Sequence, residues 1–156
     1  GGVIYRPHLV KHIENINTGE RTPIEPQPLR TLPLKPANVE IIRQAMVGVN
    51  KEGTGARAFA GAEYVSAGKT GTAQVYSLKG AIYEHGKVIE RLRDHALFIA
   101  YAPAEQPTIA LAVLVENGGF GAQSAAPIAR QVLDYWLLGK LPKEAAPEIE
   151  EAGEDD

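Results

Sequence analysis

The chain has 156 residues, 44% of them hydrophobic and 22% charged, with a formal net charge of −3; that is enough for one globular domain with its own core. The acidity is local: residues 143–156 hold seven acids against Lys143, and the rest of the chain carries 15 Lys+Arg against 12 Asp+Glu. A body so near neutrality offers nucleic acid no basic stripe, and the lack of cysteine excludes disulfide scaffolds, thiol nucleophiles and cysteine-based zinc sites.

The chain opens on Gly1-Gly2-Val3-Ile4-Tyr5 without an initiator methionine, which reads as a segment of something longer. No signal peptide is legible, and no apolar run approaches the length of a membrane span. Pro7, Pro23, Pro26, Pro28 and Pro33 forbid a long helix in the first 35 residues. Within them, residues 8–14 and 20–25 flank Asn17-Thr18-Gly19 as a hairpin. Residues 38–51 follow as a helix, with Val39, Ile42, Met46 and Val49 as its apolar stripe, Asn38 as N-cap, and Gly53 and Gly55 ending it. The loop to Gly61 is rich in small residues.

Three strands come next, over residues 63–76, 95–101 and 108–115. The last is apolar at consecutive positions, the pattern of a strand covered on both faces. Ala102–Pro107 is short enough for an antiparallel hairpin, whereas residues 77–94 form a long polar excursion. A second helix is expected over residues 125–138, with Ser124 as N-cap, Gly139 as stop, and Ile128, Val132, Tyr135 and Trp136 as its buried face. The outline is an α/β domain of the α+β type, an antiparallel sheet with packed helices.

Lys69-Thr70-Gly71-Thr72 is the stretch that points to a chemistry. It sets an ammonium, two hydroxyls and a position without a side chain along a strand, a set suited to holding a carboxylate and a developing oxyanion. Gly68-Lys69-Thr70 also invites a phosphate loop, but the glycine required five positions earlier is Glu63, and extended chain rather than helix follows. Ser66-Ala67-Gly68-Lys69 matches S-x-x-K, yet that pair needs one helical turn, and on a strand positions i and i+3 face apart. Ser77 and Ser124 have no lysine three residues on. Neither G-x-S-x-G, S-x-N nor H-E-x-x-H occurs, and His8 and His12 lack a third ligand, so no metal site is expected. The plain alternative is an edge strand guarded by lysine and threonine, with Gly71 marking a bulge.

Lys-Thr-Gly stands beside S-x-x-K and S-D-N in the signature of penicillin-binding proteins and class A β-lactamases. The order of helix, Lys-Thr-Gly strand, hairpin and C-terminal helix follows that superfamily. Residues 66–76, then Glu90-Arg91-Leu92-Arg93-Asp94-His95, then Leu114-Val115-Glu116-Asn117-Gly118-Gly119 closely resemble the penicillin-binding protein 2 family, the class B transpeptidases of rod-shape elongation. The resemblance spans roughly residues 1–140. The family's nucleophilic serine, its S-x-x-K lysine and its S-x-N motif lie upstream of the matched region and are absent here. The resemblance therefore implies the C-terminal part of a transpeptidase domain over residues 1–142, with an acidic tail at 143–156 expected to be disordered. The membrane anchor and pedestal domain would also lie upstream.

What the resemblance implies is a serine-type D,D-transpeptidase that cross-links peptidoglycan stem peptides ending in D-Ala-D-Ala and is acylated by β-lactams. By itself this segment is expected to be inactive. Lys69 would supply positive potential and join the proton relay. Thr70 and Thr72 hydroxyls would bind the terminal carboxylate, Gly71 would let substrate lie against the backbone, and the Thr72 N–H would be one of two oxyanion donors. Strict alternation sets Lys69 and Gly71 on one face and Thr70 and Thr72 on the other, so serving one substrate from both requires a groove along the strand edge or a twist near Gly71; the groove is the expectation, and residues 83–93 are placed beside it by loop position. No cofactor is expected in the segment. A glycosyltransferase of the SEDS type is the implied partner, the periplasmic face of the bacterial inner membrane the implied location, and self-association of the segment is expected. Rival readings are a β-lactamase or D,D-carboxypeptidase segment of the same fold, and a non-catalytic peptide-binding module.

Overall fold

The computed structural model describes residues 2–75 and 88–141, so the acidic tail and residues 76–87 lie outside the described residues. The chain divides into two compact units, residues 1–42 and 43–156.

In the first unit the expected hairpin forms: β2 (His12–Glu14) pairs antiparallel with β3 (Arg21–Pro23). Its turn is tied by Asn15, whose side chain accepts the Asn17 N–H at 3.0 Å while its carbonyl accepts the Gly19 N–H at 2.7 Å. A second ribbon, not foreseen, joins β1 (Val3–Tyr5) to β4 (Pro28–Thr31) with an irregularity at Tyr5. Pro28 cannot donate to a ladder, which fits its place at a ribbon edge.

Helix α1 spans Pro36–Lys51. It begins two residues before the expected Asn38 cap, because a proline at the first helical position needs no N–H and already holds helical φ. Expected-core Ile42 is 61% exposed, and Asn50 is the helix's buried residue. A short helix, α2 (Ala56–Phe59), follows.

The second unit is built on a three-stranded antiparallel sheet ordered β5-β6-β7, with β5 at Ala67–Ala73, β6 at His95–Ala102 and β7 at Ile109–Val115. β5 is shorter than the expected 63–76, since Tyr64 and Ser66 turn to side-chain bonds with other elements. α3 (Ala125–Leu138) lies against β6 and β7. Ala96, Phe98, Ala100 and Ala102 from alternate positions of β6 meet Ala125, Ala126, Ala129 and Leu133 of α3, with Phe59 stacked on Phe98 at 5.7 Å between ring centroids.

Two expectations about burial are corrected. β7 alternates: Ile109, Leu111, Val113 and Val115 pack on the core while Ala110, Ala112 and Leu114 are exposed, so only one face is covered among the described residues. α3 is turned from the expected orientation. Ile128, Val132, Tyr135 and Trp136 are 41–58% exposed, and the buried stripe is alanine-rich. Small side chains let the helix axis approach the bulky Phe98, and that fit outweighs the greater apolarity of the other stripe.

Candidate active site

β5 is an edge strand among the described residues, paired on one side with β6 in an unbroken register: Lys69 opposite Ile99, Thr70 opposite Phe98, Gly71 opposite Leu97, Thr72 opposite Ala96. The bulge that the plain edge-strand alternative would set at Gly71 is therefore not there. The same register sets Lys69 and Gly71 on the face of Ile99 and Leu97, and Thr70 and Thr72 on the face of Phe98 and Ala96, so any single ligand reaching all four approaches the open edge. Lys69 and Thr72 are exposed, Thr70 and Gly71 half-buried.

The Lys69 ammonium donates to the Thr70 carbonyl at 2.7 Å in an exposed position. That carbonyl thus faces outward, away from β6. Main-chain groups two residues apart on a strand point the same way, which turns the Thr72 N–H to the same edge. The edge therefore combines a cation, two hydroxyls and a main-chain donor, the groups needed to fix a carboxylate and to take up charge on a carbonyl oxygen.

The strand end is fastened by the other two stretches that carried the resemblance, residues 90–95 and 114–119. Asn117, in a left-handed conformation at φ 53°, donates its N–H to His95 Nδ1 at 2.9 Å and its Nδ2 to the Arg93 carbonyl at 2.8 Å. Accepting that N–H fixes the His95 proton on Nε2 in the neutral ring. The Gly119 N–H donates to the Asp94 carbonyl at 2.8 Å, and the buried Asp94 carboxylate accepts the Val75 N–H at 3.4 Å, just past β5. Ser124, the residue before α3, donates its hydroxyl to the Gly118 carbonyl at 2.6 Å instead of capping the helix. Of residues 83–93, those from Val88 onward are described; the Glu90–Leu92 turn and Arg93, whose Nε donates to the Val88 carbonyl at 3.3 Å, lead into this corner.

Gly121 lies flat on the strand pair: a Cβ there would stand 2.2 Å from the Leu97 carbonyl oxygen and 2.5 Å from that of Gly71. At Gly71 itself the nearest obstacle is Leu97 Cβ at 3.2 Å, so glycine there also serves internal packing. Ser66, of the S-x-x-K match, is buried and accepts Asn50 Nδ2 at 2.9 Å. It is a structural acceptor rather than an exposed nucleophile.

Behind the sheet, Arg130 holds Asp134 through Nε at 2.8 and 2.9 Å and donates to the Ala58 and Ala60 carbonyls, and the Tyr64 hydroxyl donates to Asp134 at 2.8 Å. Burial, followed by the hydrogen bond and charge of Asp134, pushes the Tyr64 hydroxyl well above its ordinary pKa. This clamp fixes α2 and the approach to β5 against α3.

Residues 1–134 match the penicillin binding protein transpeptidase domain family. The chain is 41% identical over 146 residues to the peptidoglycan D,D-transpeptidase MrdA of Haemophilus influenzae, an alignment covering 91% of this chain and 22% of that protein. Among solved structures it resembles Pseudomonas aeruginosa PBP2 in complex with WCK 5153, at 39% identity and a TM-score of 0.66, over 94% of this chain and 30% of that one. It also resembles the ceftriaxone acyl-enzyme complex of penicillin-binding protein A from Mycobacterium tuberculosis, at 30% identity and a TM-score of 0.65, over 87% of this chain and 29% of that one.

Proposed function

Because the chain belongs to the penicillin binding protein transpeptidase domain family, we propose that it supplies the substrate-binding edge of an elongation-type, class B peptidoglycan D,D-transpeptidase. The observation that carries the reading is the open edge of β5, where Lys69, Thr70 and Thr72 face one approach. A donor stem peptide lies along that edge as an added strand. Its terminal carboxylate takes the Thr70 and Thr72 hydroxyls and the Lys69 potential. A serine upstream of Gly1 attacks the penultimate D-Ala carbonyl, and the tetrahedral oxyanion is held by the Thr72 N–H and the serine's own N–H. Collapse expels D-Ala, and an acceptor amine then attacks the serine ester to complete the cross-link. A β-lactam enters by the same serine attack, now on its ring carbonyl; the ring C–N bond opens, the amine stays tethered, and the acyl-enzyme remains. Losing one oxyanion donor typically slows such chemistry about 10²–10³-fold, so this strand governs the rate without forming a covalent bond to substrate.

The match covers 22% of the Haemophilus influenzae relative, which leaves room outside this chain for the nucleophile, the membrane anchor and the pedestal domain; the resemblance sets them upstream. The full-length protein works at the periplasmic face of the inner membrane in cell-shape maintenance, beside a SEDS-type glycosyltransferase. Acylation of the full-length protein by a fluorescent penicillin tests the core of the reading. Lys69→Ala is expected to lose nearly all labelling while its unfolding free energy stays within about 0.5 kcal/mol of wild type, as for an exposed side chain. Labelling near the wild-type rate would refute the role given to Lys69.

A further inference from the structure

The loop after α1 reaches the candidate site. Thr54 Oγ1 lies 3.0 Å from Thr70 Oγ1, and its backbone is tied on both sides. The flanking N–H groups of Gly53 and Gly55 donate to the Gly48 and Val49 carbonyls, both at 2.9 Å. Asn50, 6% exposed, spans from this turn to the start of β5, donating Nδ2 to Oγ of Ser66, the residue before the strand, at 2.9 Å. Its Oδ1 has no hydrogen-bond partner among the described residues and fills the space a Cβ would take at Gly55 (2.7 Å) and at Gly68 (2.9 Å). Two glycines thus let the Asn50 amide sit between turn and strand. Gly68 and Thr70 share one face of β5, and Ser66 stands just before the strand, so the wedge that fixes Ser66 and Gly68 also fixes the spacing of Thr54 from Thr70.

We propose that Thr54 is a positioning residue that aims the Thr70 hydroxyl at the carboxylate of the ligand. A hydroxyl has one proton to give and two lone pairs to receive with, whereas a carboxylate only accepts. If Thr70 donated to Thr54, it would present only lone pairs to the anion. With Thr54 donating to Thr70 Oγ1, the single Thr70 proton is directed to the carboxylate, and the accepted bond polarises that O–H further. This inference rests on the reading of Thr70 as a carboxylate ligand.

The test is carried out on the full-length protein, comparing second-order acylation constants for a fluorescent penicillin and for its carboxyl methyl ester. The loss of one such hydrogen bond predicts that Thr54→Val slows the free acid about three- to tenfold and leaves the ester rate within about twofold of wild type. Thr54→Ser, which keeps the hydroxyl, restores the free-acid rate, and adding Thr54→Val to Thr70→Val slows it no further than Thr70→Val alone, as for two residues acting through one bond. Equal slowing of acid and ester, additive losses in the double variant, or a normal Thr54→Val rate beside an impaired Thr70→Val each overturn the role of Thr54 alone. An unimpaired Thr70→Val instead overturns the carboxylate reading of Thr70, and the inference with it.

Discussion

Replacing Gly121 by alanine tests how tightly the loop before α3 is bound to the candidate strand. The added Cβ would stand 2.2 Å from the Leu97 carbonyl oxygen and 2.5 Å from that of Gly71, against about 3.4 Å for an ordinary contact. Relief requires a backbone shift of more than about 1 Å, and the atoms in the way are main chain of two strands paired at Gly71–Leu97, not flexible side-chain ends. Overpacking typically costs about 1–3 kcal/mol, and an obstacle made of paired backbone belongs at or above the top of that range. With an m-value of about 2 kcal/mol per molar, the urea midpoint falls by roughly 1.5 M. Gly48→Ala is the control: in α1 its Cβ meets only Glu52 Oε1 at 3.8 Å, and the gain in helix propensity stabilises by about 0.5–1 kcal/mol. Because Gly71 sits between Thr70 and Thr72, penicillin acylation of the full-length protein should fall with Gly121→Ala and hold with Gly48→Ala. A Gly121→Ala midpoint equal to wild type would refute the close approach on which this reasoning depends.

Two further outcomes are expected. The raised pKa of Tyr64 means that the folded protein keeps the hydroxyl proton while the unfolded chain releases it from about pH 10. Its contribution to stability is therefore present below pH 10 and lost as pH rises; Tyr64→Phe should cost about 1 kcal/mol at neutral pH and flatten the alkaline loss in urea titrations, and an unchanged alkaline slope would count against the Tyr64–Asp134 bond. The outward stripe of Ile128, Val132, Tyr135 and Trp136 is a contiguous apolar surface of the kind that seeks a partner, so the isolated 156-residue chain should self-associate in light scattering, and a monomer at high concentration would contradict this.

The sequence carried the strand identities well, because β-branched and aromatic runs with turn residues between them leave few alternatives; β6, β7 and the β2–β3 hairpin all fall where residue pattern places them. Helix rotation was less legible. Periodicity marks an apolar stripe on α3 but does not say which of two stripes faces the sheet, and the answer depended on the alanines at 125, 126 and 129 fitting around Phe98. Lys69 and the two threonines could be singled out because their chemistry is local to four residues. Thr54, Asn50 and the Asp94–Asn117 corner could not, since each acts through a partner 16 or more positions away. Gly53 and Gly55 around Thr54 were a visible sign of a tight turn, but not of what the turn touches.

The central claim is that Lys69–Thr72 forms one wall of an acyl-transfer site whose nucleophile is an upstream serine. Mapping the penicilloyl adduct on the full-length protein by peptide mass spectrometry tests this most directly. The account predicts a single modified serine upstream of Gly1, with Ser66, Ser77 and Ser124 unmodified. An adduct on any of those three would contradict it.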